Sequence, residues 1–160
     1  MLDTPRSHKL QPRAPGAGAR AVLFGYLLRS GARDKAAVIL ERLDAEAVGK
    51  LVGLLDGEEL RQMASLCFSE AHVGRAVALD VPSLVRLCRS GDHDDIERCM
   101  RRLPNEIVRR VLPALPDERR RALERRIDRS LARPAGGGTT AGQRAERFWA
   151  ALRLRRLFQK

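Results

Sequence analysis

From Arg20 to Leu131 the apolar residues recur at three- and four-residue intervals, in short runs punctuated by Gly, Asp and Pro. Val48, Leu51, Val52 and Leu55 fall on one helical face at i, i+3, i+4 and i+7, and Leu60, Met63, Ala64 and Cys67 form a second such stripe. Period-two alternation is scarce, and Asp56-Gly57 lies between helical runs instead of between strands. The pattern predicts helices over about 20–30, 34–43, 44–55, 56–67 and 70–80, the last stopping at Val81-Pro82, and a further set in the second half of the chain. Gly31 suits a left-handed C-cap, Asp34, Asp44 and Asp56 suit N-caps, and Glu59 stands where it would complete a capping box with Asp56.

The pattern then repeats. Phe24 to Leu66 and Leu84 to Arg126 align without a gap at an offset of sixty residues. Leu27-Leu28-Arg29-Ser30-Gly31 falls on Leu87-Cys88-Arg89-Ser90-Gly91, Arg42-Leu43 on Arg102-Leu103, and Leu55 on Leu115. Pro104 and Pro116 stand where the first copy has Asp44 and Asp56, and both residue types are competent to start a helix. Self-similarity at this period marks stacked supersecondary units, which usually build binding surfaces. The repeat predicts an all-α, armadillo-like right-handed solenoid of short helices. The organisation expected is a disordered arm over 1–19, a helical-repeat domain over 20–132 with copies at about 24–66 and 84–126, a flexible linker over 133–143, and a separate basic helix over 144–160.

Charge sharpens this division. The chain carries a net +11, of which +3 lies in residues 1–20 and +7 in residues 129–160, leaving +1 for the body between them. A nearly neutral body argues against the repeat face as a nucleic-acid surface. Arginine greatly outnumbers lysine, alongside much Ala, Leu and Gly, which reads first as the coding bias of a GC-rich genome. Cys67, Cys88 and Cys99 align with Ile127, Leu28 and Ile39, so each thiol occupies an aliphatic slot of the other copy, as buried free cysteines do. An odd number of such thiols suits a reducing, cytoplasmic compartment. No run approaches the ~20 apolar residues that span a bilayer.

Candidate chemistry is sparse. Asp92, Asp94 and Asp95 are the densest acidic group, suited by type to Mg²⁺ or Ca²⁺, or equally to capping a helix and complementing its dipole. Cys88, His93 and Cys99, with Cys67 or His72, match no compact zinc spacing. No catalytic constellation stands out, so the expectation is a non-enzymatic protein without a cofactor. The remaining functional element is the tail, where Arg144, Arg147, Arg153, Arg155 and Arg156 interleave with Phe148, Trp149 and Leu152. Its apolar residues split into two clusters, Ala145, Phe148, Trp149 and Leu152 against Leu154, Leu157 and Phe158. Such a split suits docking on one side and partner contact on the other. The partner expected first is another protein or a second copy through repeat stacking, then an anionic membrane surface, then nucleic acid.

The unit Leu-Leu-Arg-Ser, followed by Asp34 or Asp94, by paired leucine-class positions, and by Asp/Pro-x-Glu at each helix start, resembles the helical repeats of the flagellar motor switch protein FliG. It is also similar to the cytoplasmic N-terminal domain of the MgtE magnesium transporters. The resemblance spans roughly residues 24–128. It implies units stacked into armadillo-like superhelices that contact partner proteins or each other, in a bacterial flagellar, secretion or transporter assembly. The second family further implies magnesium held between acidic surfaces. Gly31-Ala32-Arg33-Asp34 and Gly91-Asp92-His93-Asp94 replace the Glu-His-Pro-Gln stretch with which the motor family's repeats bind their usual partner.

Overall fold

Five times the chain passes from one helix to the next through a leucine with extended backbone. Leu43, Leu55, Leu79, Leu103 and Leu115 all close a helical segment with ψ between 142° and 153°. Asp44, Asp56, Asp80, Pro104 or Pro116 follows. Proline disfavours the helical region for its predecessor, which suits the extended backbone of Leu103 and Leu115. In the first copy the next helix is instead opened by aspartate, and the Asp44 carboxylate accepts from the Ala47 N–H at 2.7 Å.

The computed structural model describes residues 16–132 and 140–159, and among them every regular element is helical. Helices α1 (Ala17–Arg29), α2 (Arg33–Arg42), α3 (Ala45–Leu54) and α4 (Gly57–Cys67) make the first half. A 3₁₀ turn, Val73–Ala78, leads to α5 (Val81–Ser90), α6 (His93–Arg102), α7 (Asn105–Val111) with a 3₁₀ extension Leu112–Ala114, and α8 (Asp117–Ala132). Helix α9 (Ala141–Phe158) closes the chain. The starts of α6, α7 and α8 lie sixty residues after those of α2, α3 and α4.

Several boundaries differ from expectation. Helix α1 begins at Ala17 after an extended Gly16, so residues 17–19 of the expected arm are helical; residues 1–15 lie outside the described residues. Ala32, not Asp34, caps α2, and Asp34 sits in the first turn where the helix dipole favours it. Asp56 makes no side-chain cap bond, and Glu59 pairs with Arg29 instead of completing the capping box. The helix expected over 70–80 is only the 3₁₀ turn, and Pro82 lies inside the first turn of α5, where its missing N–H is harmless. Gly31 is left-handed at φ +75°, as its position after α1 requires. Helix α9 starts at Ala141, not at 144, because Thr140 and Gln143 form a capping box; residues 133–139 of the expected linker lie outside the described residues.

One apolar core runs through both halves and includes Phe24, Met63, Phe68, Leu84, Met100, Leu103 and Ile127. Each fully buried large side chain of this kind contributes roughly 1.5–3 kcal/mol. Helix α5 packs on α3 and α4 of the preceding half. Helix α9 packs on α7 and α8 in the same way and also touches α6, so the helix expected to stand apart is docked.

Arginines hold these junctions. The last carbonyls of a helix have no partner within it, and a guanidinium offers a planar fork of donors suited to two at once. Arg75 donates to Leu40 O at 2.8 Å and Leu43 O at 2.5 Å, at the end of α2. Arg86 donates to Val52 O at 2.9 Å and Leu55 O at 2.6 Å, at the end of α3. Arg153 donates to Met100 O at 3.1 Å and Leu103 O at 3.2 Å, at the end of α6. Arg119 reaches Cys88 O and Gly91 O after α5, and Arg98 reaches Phe68 O at 2.9 Å after α4. These five arginines supply the missing C-terminal caps from neighbouring helices.

Candidate functional site

Helix α9 has two unlike faces. Ala151 and Leu154 are fully buried against the body, and Leu157 and Phe158 are half-buried beside them. On this side Arg153 clamps the end of α6, and Arg155 pairs with Asp128 of α8 at 3.2 Å. The opposite side is bare. Phe148 is 45% and Trp149 64% exposed, their rings in edge-to-face contact with centroids 5.7 Å apart and planes at 78°. Arg144, Arg147 and Arg156 are exposed and make no ion pair or hydrogen bond among the described residues. The two apolar clusters of the sequence thus separate as their registers dictate, with the later cluster docked and Phe148 and Trp149 left to solvent.

Two grooves flank this helix. The one between α6 and α9 mixes charges, with Glu70, Asp94, Glu97 and Glu146 facing Arg98, Arg101, Arg102 and Arg147. Its charges largely satisfy each other: Glu97 takes Arg101 and Arg126 (3.0 Å for the latter), and Arg98 takes Glu70 at 3.1 Å. The groove between α7 and α9, about 460 Å³, is different. Asn105 and Arg109 of α7 face Trp149, Leu152, Arg153, Arg156 and Leu157 of α9, with no carboxylate in the lining. The Asn105 Oδ1 and Arg153 Nε atoms are buried without a hydrogen-bond partner. Asn105 and Arg109 were not among the residues singled out from sequence; the sole signal, Asn105 directly after Pro104 at a helix start, says nothing of what lies across from it.

The acidic candidates go elsewhere. Asp92 stands at the N-cap position of α6 without a side-chain cap bond and lies 3.9 Å from Arg61, Asp94 pairs with Arg126, and Asp95 pairs with Arg98 at 3.0 Å. Burial pushes the Asp95 carboxyl up, against the lowering pull of Arg98. The three carboxylates thus diverge onto three arginines, with Asp94 and Asp95 in the first turn of α6 where the dipole favours them. Among the described residues no group of three or more His, Cys, Asp or Glu side chains is placed to hold a metal ion.

The thiols are core residues. Burial pushes Cys67 up to about 12, and the side-chain hydrogen bond between Cys99 and Cys88, then burial, raises Cys99. His72 is satisfied by Ser69 Oγ at 3.0 Å and Glu41 Oε1 at 3.2 Å. No helix among the described residues is long and apolar enough to cross a membrane.

The fold and site define an all-helical chain with a two-faced terminal helix. No protein-family model, no curated protein and no solved structure matches it.

Proposed function

We propose that this chain is a non-enzymatic helical-repeat module, an armadillo-like right-handed solenoid, that binds another protein through the outer face of α9. The observation that carries the proposal is the division of labour along that helix. Arg153, Ala151 and Leu154 fasten it to the body, while Phe148, Trp149 and Arg144 are exposed and spent on nothing internal. Exposed aromatics next to arginines are the side chains that dominate protein interfaces. The resemblance to FliG and to the MgtE N-terminal domain supports a place in a flagellar, secretion or transporter assembly of the bacterial cytoplasm. The carboxylates at the start of α6 favour a structural role over the cation-sensing one, since each already has an arginine.

The test compares capture of binding partners by the native chain and by a Phe148→Ser, Trp149→Ser variant whose helicity is unchanged by circular dichroism. A protein retained by the first and lost by the second is the expected result. Equal retention, or retention only of nuclease-sensitive or lipid material, overturns the reading.

A further inference from the structure

We infer that the groove between α7 and α9 takes an acidic peptide segment bearing a large apolar side chain. The inference rests on the protein-binding reading and names the chemistry of the partner.

Arg109 and Arg156 line this groove with no ion pair or hydrogen bond among the described residues, Arg153 beside them is committed to the end of α6, and no carboxylate shares the lining, whereas the neighbouring groove on the other side of α9 carries its own counter-charges. Uncompensated guanidiniums in a concave site recognise carboxylates, which they grip in bidentate geometry. Between them Trp149, Leu152 and Leu157 offer apolar surface, so the ligand must bring an apolar group as well as charge.

The two orphaned polar atoms refine the choice. Arg153 spends its terminal nitrogens on the end of α6, and its Nε–H is left buried with nothing to donate to. Asn105 Oδ1 is buried with nothing to accept from. Leaving such groups unpaired is costly, and both belong to side chains that line the groove. A ligand that satisfies both must carry an acceptor and a donor. A peptide does so at every residue, through its C=O and N–H. A phosphodiester backbone presents only acceptors. Nucleic-acid donors lie on the bases and sugars, away from the charged phosphates, so the groove favours an acidic peptide over a phosphate backbone, although both are anionic.

Trp149 is the chain's one tryptophan, so its emission reports the groove directly. The probe is an acetylated, amidated Glu-Leu-Asp-Leu-Glu peptide, titrated into the full chain to millimolar concentration. A saturable change in emission is expected, with no saturable change from the Lys-Leu-Lys-Leu-Lys counterpart. Arg109→Glu with Arg156→Glu is expected to weaken binding by about tenfold or more. Both arginines are exposed and have no ion pair or hydrogen bond among the described residues, so their reversal leaves the body intact. A flat trace, an equal response to the lysine peptide, or tighter competing binding by single-stranded oligonucleotide or phosphatidylglycerol vesicles overturns the inference. A partner protein captured undiminished by the Arg109→Glu, Arg156→Glu variant, yet lost from the Phe148→Ser, Trp149→Ser one, sinks the groove and keeps the scaffold.

Discussion

The first half of the molecule opens on α1, whose outer face shows Val22 at 71%, Leu23 at 54% and Tyr26 at 59% exposure. In the second half the corresponding helix, α5, is seated on α3 and α4, and the counterparts of Leu23 and Tyr26 are Ser83, which is buried, and Arg86, which caps α3. At the far end the contrast reverses. Leu43 is only half-buried beneath the 3₁₀ turn that supplies Arg75, whereas Leu103 is fully buried beneath α9, which supplies Arg153. One carbonyl pattern is closed twice, by arginines at different removes in sequence. The two halves keep their junction geometry more strictly than they keep the source of the group that satisfies it.

Substitution at paired positions breaks this comparison most strongly in the core. Leu103→Ala is expected to cost ~2–5 kcal/mol in urea unfolding, and Leu43→Ala clearly less, because only the former leaves a sealed cavity. Equal losses would mean that α9 does not cover its half as described.

Arg153→Ala and Arg75→Ala should each cost about 1–3 kcal/mol, by stripping donors from helix-end carbonyls. Only Arg153→Ala should also hasten proteolysis between α8 and α9, seen as early release of the Trp149-containing fragment. Exchange at the outer helices sharpens the point. Ser83→Leu should cost ~1–3 kcal/mol through overpacking, while its mirror Leu23→Ser should change stability by less than about 0.5 kcal/mol.

The thiols give the smallest effect and one with a pH sign. Cys67 is raised to about 12, above its unfolded value, so the neutral thiol's contribution is fully present below about pH 8.5 and is lost as pH climbs toward the folded value. Thermal melts should be level from neutral pH to about 8 and fall beyond it, less steeply in Cys67→Ala, and Ellman's reagent should label the cysteines only on unfolding.

What was readable in the sequence follows from what is local. The extended junctions at Leu43, Leu55, Leu103 and Leu115 and the aliphatic slots of the cysteines are set by backbone sterics and periodicity and recur at the sixty-residue offset, whereas the left-handed Gly31 does not, since its counterpart Gly91 is extended at φ −71° and ψ 163°. The arginine caps were not readable. Arg75 lies 32 residues from Leu43, and Arg153 lies 50 from Leu103, so no register links them to their targets. The groove between α7 and α9 was invisible for the same reason, since Asn105 and Trp149 meet only through tertiary packing. The acidic run at 92–95 looked like a ligand set because sequence shows its charges and hides Arg61, Arg98 and Arg126.

The seams between helices are made from guanidinium and amide oxygen, and neither gains or loses a proton between mild acid and strong alkali. Shifts of acidity that dissolve carboxylate-based contacts therefore pass these stitches by. Their natural competitor is the free guanidinium ion, which offers the same oxygens the same fork. Guanidinium chloride should accordingly outdo urea by more than the roughly twofold margin usual for helical proteins of this size.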